Sequence, residues 1–302
     1  MRVLILGGGG MLGHKVFQVL GEELETYATF HSKNGAWQTY PVYEDIYQEY
    51  LHGGVDVRNF RDVIRVFKRT QPDVAVNCVG IIKQVEEAQD PIISLQVNAL
   101  FPHLLAEFCQ AVGTRLIHIS TDCVFSGRQG NYREEDYPDA EDLYGRTKLL
   151  GEVVGEGCLT IRTSIIGRDF RRNTGLLEWF MSSEGSIIQG YSRAVFSGLT
   201  TQSLAAIIKK VIIGFPELSG LYHVSSEPID KYTLLKEIRE TLDLQIRIEK
   251  DGLVEIDRSL DSGKFREETG IRIPDWEDMI TELAQDDTPY DQWRKEHHET
   301  TG

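Results

Sequence analysis

The apolar positions of this chain fall into short unbroken runs, each followed by a stretch with helical spacing. Residues 2–6 (Arg2-Val3-Leu4-Ile5-Leu6) form the first run, the pattern of a strand buried on both faces. In residues 11–21, Met11, Leu12, Val16, Val19 and Leu20 share one broad helical face. A second strand fits 25–30, Val55-Asp56-Val57 reads as a short strand, and 59–70 as a helix. Residues 73–78 are apolar and β-branched. A long helix is predicted over 91–112, with Pro91 near its start and Gly113 at its end. Strand 115–120, helix 143–155 and strand 158–163 follow. Segment 34–54 carries Trp37, Tyr40, Tyr43, Tyr47 and Tyr50 without a clear period, and reads as an irregular insertion. Alternating β and α units predict the α/β class: a doubly wound parallel Rossmann sheet with helices on both faces.

After about residue 165 the rhythm changes. Helices are expected at 174–183, 201–213, 230–241, 261–269 and 275–285. Short strands near 187–190, 221–225 and 245–248 separate them. The implied organisation is a Rossmann domain over 1–165, to which later strands return, a smaller and mostly helical lobe over 166–285, and a polar, frayed tail over 286–302.

With 302 residues, the core needs no disulfide or metal staple. The net charge of −15 and the lack of any basic run argue against nucleic acid as a partner. An anionic substrate would need a local basic pocket. The four cysteines (Cys78, Cys109, Cys123, Cys158) form no CxxC pair, which argues against a metal site and for reduced thiols in a cytoplasmic protein. The apolar run at the N-terminus is too short for a signal peptide, and no stretch is expected to reach the length of a membrane span.

Gly7-Gly8-Gly9-Gly10-Met11-Leu12-Gly13 stands between the first strand and the first helix. Its spacing, Gly7-x-x-Gly10-x-x-Gly13, differs by one residue from the common dinucleotide fingerprint. Backbone N–H groups and the helix dipole at such a turn attract a pyrophosphate. At the end of the second strand an acid would select NAD. Here the residues are His31, Ser32 and Lys33, and the last two could meet a 2′-phosphate, so NADPH is favoured, with NADH as the alternative.

Tyr144-Gly145-Arg146-Thr147-Lys148 puts a phenol and an ammonium one helical turn apart. A lysine charge beside a phenol is expected to lower its pKa, and the tyrosine can then exchange a proton with a carbonyl oxygen. A second copy, Tyr232 to Lys236, lies late in the chain and reads as an ordinary helix start. Tyr144 instead follows Ser120-Thr121-Asp122 at the carboxyl end of a predicted strand, where α/β proteins place their sites. Thr121 would bind the same carbonyl oxygen.

These motifs, with His118-Ile119-Ser120-Thr121-Asp122-Cys123-Val124-Phe125-Ser126-Gly127, Leu149-Leu150-Gly151-Glu152 and Leu159-Thr160-Ile161-Arg162-Thr163-Ser164, resemble the extended short-chain dehydrogenase/reductases, and among them the dTDP-4-dehydrorhamnose reductase family. Gly220-Leu221-Tyr222-His223-Val224 extends the likeness, which covers most of 1–285. The resemblance implies a nicotinamide dinucleotide in the first lobe, a nucleotide-linked 4-keto-6-deoxy sugar under the second, Tyr144 as proton donor, polysaccharide biosynthesis as the setting, no membrane attachment, and at most assembly as a homodimer. It places Asp56 and Val57 by the adenine, Asn77 beside the cofactor, and Asn98 on a helix that orders the site. Lys83, Asp122, Cys123, Arg162, Arg193 and Arg258 are the candidate substrate contacts.

The chain departs from the family at Cys123, where tyrosine is usual, and at Ile165-Ile166-Gly167, where an aromatic pair is usual. The sugar is therefore left open. Two alternatives are an epimerase or dehydratase on the same fold, and a non-catalytic cofactor-binding regulatory subunit. Dehydratases of this type place Asp-Glu after the threonine, whereas Asp122 here precedes Cys123.

Overall fold

The computed structural model describes residues 1–32, 48–83, 89–169 and 175–290. Lys33 and the aromatics at 37, 40, 43 and 47 lie outside them. Seven parallel strands make the central sheet: β1 (Arg2–Leu6), β2 (Glu25–Thr29), β3 (Leu51–His52), β4 (Val74–Asn77), β5 (Arg115–Ile119), β6 (Cys158–Arg162) and, last in sequence, β10 (Gly220–His223). Their order is β10-β6-β5-β4-β1-β2-β3, so the strand order reverses between β1 and β4. That crevice is where doubly wound sheets bind ligands.

The unbroken apolar runs have a direct cause. Val3, Ile5, Val76, Ile117 and Ile161 face one core, while Leu4, Leu6, Ala75, Leu116 and Cys158 face the other. With both faces covered, neither parity can be polar. The first core is covered by α1 (Met11–Gly21) and the second by α2 (Phe60–Thr70), whose Val63, Val66, Phe67 and Thr70 point inward at helical spacing.

The predicted strand at 55–57 is instead a turn. Asp56 accepts the Arg58 backbone N–H at 3.0 Å, and its carbonyl takes the Asn59 N–H at 2.9 Å, which curls the chain. Strand β3 forms just before it.

The helix α3 (Pro91–Val112) begins where the Asp90 carboxylate accepts the N–H groups of Ile92 and Ile93. Contrary to the sequence expectation, it is long and apolar enough by length and composition to cross a membrane, yet 44% of its most apolar window is buried in the fold. Its middle, Leu95–Leu100, widens into a π-helix, a local expansion common at functional sites.

Helix α4 (Leu143–Leu150) ends sooner than predicted, at Gly151. Short strands β7 (Ile165–Ile166) and β9 (Leu199–Thr200) pair beyond β6. Residues 166–285 contain the expected helices: α5 (Leu176–Ser182), α6 (Thr201–Gly214), α7 (Lys231–Thr241), α8 (Gly263–Thr269) and α9 (Trp276–Ala284). This stretch is less purely helical than its pattern suggested. β8 (Ile187–Phe196) and β12 (Arg247–Asp257), ten and eleven residues long, pair in parallel, and β11 (Ile229–Asp230) joins β8 antiparallel.

The frayed tail is also corrected as far as residue 290. Asp286 forms a 2.7 Å ion pair with Lys15, and Tyr290 is 1% exposed in the core.

Candidate active site

The turn after β1 is built from glycine for three different reasons. Gly7 has φ +88°, a left-handed conformation that side chains resist. A Cβ at Gly13 would lie 2.1 Å from the Gly7 carbonyl oxygen, so α1 can abut the turn only without a side chain. A Cβ at Gly10 would meet nothing nearer than 3.5 Å. Protein packing therefore does not demand glycine at Gly10, and the space over it stays accessible to an incoming group. Leu12 is buried in the core, so this residue can contribute only its backbone to an anion at the helix start.

At the end of β2, His31 is exposed and contributes, together with Arg58, to holding the Asp56 carboxyl below its usual range, with the Arg58 hydrogen bonds dominant. Arg58, 2.7 Å from Asp56, is a cation that the sequence reading missed. Ser32 follows His31, its carbonyl accepting the Gly54 N–H. Val57 packs toward the second core. Asn77 is fully buried. Its amide N–H₂ faces His118 Nδ1 at 3.0 Å and its carbonyl oxygen accepts the Val79 N–H, so the side chain ties β4 to β5 and both of its polar ends are occupied.

Thr121 lies two residues past β5 and caps the short turn Asp122–Val124, its hydroxyl accepting the Cys123 N–H at 3.1 Å and donating to Asp122 Oδ1 at 3.1 Å. Helix α4 is brought against this turn by Gly145, where a Cβ would lie 2.2 Å from the Cys123 carbonyl oxygen. The helix starts where Asp142 accepts the Gly145 N–H at 2.8 Å. Tyr144 thereby lies close enough to the Thr121 hydroxyl for that group to favour its phenolate.

The electrostatics of this pair differ from expectation. Burial, with Cys123, Asp122 and Asp142 nearby, pushes the Tyr144 phenol above its ordinary pKa. The Lys148 ammonium donates to the Ile119 carbonyl at 2.7 Å. Burial lowers Lys148 itself to about 8, against the attraction of Glu152. The Cys123 thiol rises to about 11 through burial and the Asp122 charge, and Asp122 is raised by its own burial.

Asn98, carried on the π-turn, clamps the site. It exchanges hydrogen bonds with the Ile81 backbone at 2.8 and 3.0 Å and reaches Thr147 Oγ1 of α4 at 3.3 Å.

Of the proposed substrate contacts, the structure gathers Lys83 and Arg258 here. Lys83 lies 2.6 Å from Asp142 and 5.6 Å from the centre of the Tyr144 ring. Arg258 donates to the Phe125 carbonyl at 2.9 Å, close enough to act on Asp122 and Cys123. Lys231, missed in the sequence, joins them at the start of α7. It is partly buried, its pKa lowered by that burial and raised by Asp122 and Cys123. Its neighbour Tyr232 packs against Lys236 and Lys250 instead.

Arg162 is a correction. Its side chain is 3% exposed and forms a bidentate pair with Glu152 at 2.7 and 2.8 Å, which leaves no free face for a diphosphate. Arg193 is exposed on β8 and paired with Glu255 of the neighbouring strand.

Comparison with known proteins places these features in a family. The family model described as RmlD substrate binding domain matches residues 1–288. The spore coat polysaccharide biosynthesis protein SpsK of Bacillus subtilis is 25% identical over 300 residues, covering 94% of this chain and 97% of that protein. A dTDP-4-dehydrorhamnose reductase of Aggregatibacter actinomycetemcomitans is 26% identical, covering 75% and 74%. Methionine adenosyltransferase 2 subunit beta of Xenopus tropicalis is 27% identical, covering 77% and 70%. The crystal structure of dTDP-4-dehydrorhamnose reductase from Bacillus anthracis in complex with NADP has the same fold, with a TM-score of 0.75 at 20% identity over 93% of this chain and 98% of that one. The chain belongs to the RmlD substrate binding domain family.

Proposed function

We propose that this chain is an NAD(P)H-dependent reductase of a nucleotide-linked 4-keto-6-deoxy sugar. The observation that carries the reading is the closeness of the Tyr144 phenol on α4 to the Thr121 hydroxyl after β5, at the carboxyl edge of the sheet that also bears the glycine turn after β1. The family model and the relative named dTDP-4-dehydrorhamnose reductase support the substrate class.

The glycine turn fits a dinucleotide. Gly10 can be approached closely, and the first turn of α1 contains no acid to repel a pyrophosphate. When bound, a nicotinamide supplies the hydride. Tyr144 donates its proton to the sugar carbonyl oxygen, and its raised pKa keeps that proton in place at neutral pH. Thr121 donates a second hydrogen bond to the same oxygen. Lys148 holds the ribose beside it. Lys83, Lys231 and Arg258 offset the charge of the sugar diphosphate in an otherwise acidic protein. His31, Ser32 and Arg58 at the end of β2 favour NADPH, with residues 1–165 holding it and 166–285 covering the sugar.

A screen of 4-keto nucleotide sugars with NADPH and NADH side by side tests this reading. Cofactor oxidation with one of them, lost in Tyr144→Phe, is the expected result, and turnover that survives in that variant sinks the mechanism. The similarity to methionine adenosyltransferase 2 subunit beta supports a second reading, a cofactor-binding partner subunit. Dinucleotide binding without turnover across the panel favours it.

A further inference from the structure

The geometry points to residues 286–290 as a positioning element for the dinucleotide loop, wired to Gly10 through His14. The inference rests on the glycine turn being the cofactor site, as proposed above. Tyr290 is 276 residues from His14 in sequence, yet its hydroxyl lies 2.8 Å from His14 Nε2. On the other side of the ring, His14 Nδ1 lies 2.9 Å from the Gly10 carbonyl oxygen. A carbonyl oxygen only accepts, so Nδ1 carries the proton. In the neutral ring Nε2 is then an acceptor, and the Tyr290 hydroxyl donates to it at 2.8 Å in preference to the more distant Asp286 Oδ2 at 3.3 Å. Burial supports the neutral form, pushing the His14 pKa down to about 3. The relay therefore has one polarity: Tyr290 O–H to His14, and His14 N–H to Gly10.

The consequence lies in the peptide plane. The Gly10 carbonyl and the Met11 N–H belong to one rigid trans unit and point in opposite directions. His14 engages that oxygen twice, through its ring and through its backbone N–H at 3.2 Å. Fixing the oxygen toward the helix aims the Met11 N–H out of the helix start, where an anion would lie. The next residue, Lys15, anchors the same segment by donating to Asp286 at 2.7 Å and Thr288 at 3.0 Å. Gln202 of α6 holds Asp286 from the other side at 3.0 Å. Arg168 covers the Tyr290 ring, 4.8 Å from its centre. Residues 286–290 thus brace the loop opposite the face a ligand would use.

Tyr290→Phe keeps the ring and removes the relay; His14→Phe interrupts it from the other end. Two measurements are made on each. In ligand-free protein, hydrogen exchange of the peptide spanning residues 7–16 is expected to accelerate. In direct titration, the NADPH dissociation constant is expected to rise about three- to tenfold, the effect of one such hydrogen bond, with turnover at saturating NADPH unchanged. Unchanged loop exchange in Tyr290→Phe overturns the inference, even if the melting temperature falls. An unchanged dissociation constant overturns it as well. If the parent protein binds no nicotinamide dinucleotide, the reductase reading fails, while the exchange result still decides whether the segment orders the loop.

Discussion

The Lys148 ammonium donates to the carbonyl oxygen of Ile119, 2.7 Å away, at the end of the strand that delivers Thr121. Helix α4 and strand β5 are thereby tied at the point of chemistry. The attachment depends on charge, because Lys148 is buried and its pKa is lowered to about 8. Below that value it is an ammonium and above it an amine. Reduction is expected to fall as pH rises through about 8, and Lys148→Met should remove this titration while lowering turnover about a hundredfold or more. Stability responds with the opposite sign. Between about 8 and the ordinary lysine pKa, the unfolded chain binds the extra proton, so the parent gains stability as pH rises through that window. Melting curves across this range should show the gain in the parent and lose it in Lys148→Met.

Glu152 and Arg162 form an ion pair with side chains only 8% and 3% exposed, and Glu152 also accepts from Ser120 at 2.7 Å. Removing one partner strands the other charge away from water. Glu152→Gln is expected to cost about 3–5 kcal/mol in urea unfolding. Arg162→Met should likewise destabilise the fold before it raises the KM for substrate. A substrate-specific KM defect at parental stability would restore Arg162 as a ligand.

Lys231 is the cation whose loss should be felt by substrate alone. It lies at the first turn of α7, and its neighbours Asp122 and Cys123 flank the Tyr144 phenol. Lys231→Met should raise the KM for the nucleotide sugar about tenfold, within the range for a charged hydrogen bond, with turnover within twofold. NADPH binding should not change. A shift in the NADPH constant instead would move Lys231 out of the substrate site.

Buried histidines make the fold acid-sensitive. His14 is lowered to about 3, His223 to about 4 and His118 well below its ordinary value, each chiefly by burial. As pH falls below about 6.5, the unfolded chain takes up these protons first. Each histidine then removes up to about 1.4 kcal/mol per pH unit until its folded pKa is reached. Thermal melts between pH 6.5 and 4 should show a steep decline. A flat profile would mean that these rings are hydrated.

What was legible in the chain was what local chemistry specifies. A strand buried on both faces has to be apolar throughout, and the glycine turn and Tyr144/Lys148 spacing are short-range, so both could be read without a structure. The misassignments share one cause, a partner supplied from elsewhere. Arg162 looks like a ligand until Glu152 is placed beside it. Asn77 reads as a cofactor contact until His118 takes its amide. The tail reads as frayed because Tyr290 is one aromatic among polar residues, and its value comes from His14. The π-turn that presents Asn98 leaves the apolar pattern of α3 intact and so has no signature. Lys231 carries no local motif of its own, and only the fold sets it near Asp122 and Cys123.

The glycine turn itself offers the sharpest contrast, because its glycines are required for different reasons. A Cβ at Gly13 would sit 2.1 Å from the Gly7 carbonyl oxygen, a clash with backbone that no side-chain motion relieves. A Cβ at Gly10, where φ is −91°, meets protein only at 3.5 Å and strains nothing. Gly13→Ala should therefore lower the melting temperature and lose dinucleotide binding together, because α1 must move off the turn. Gly10→Ala should melt like the parent yet bind NADPH at least tenfold more weakly, because the methyl occupies the approach to the loop backbone. Paired melting and titration measurements separate the two. Parental NADPH affinity in Gly10→Ala would show that the dinucleotide does not pass over this residue, and would remove the loop from the cofactor site.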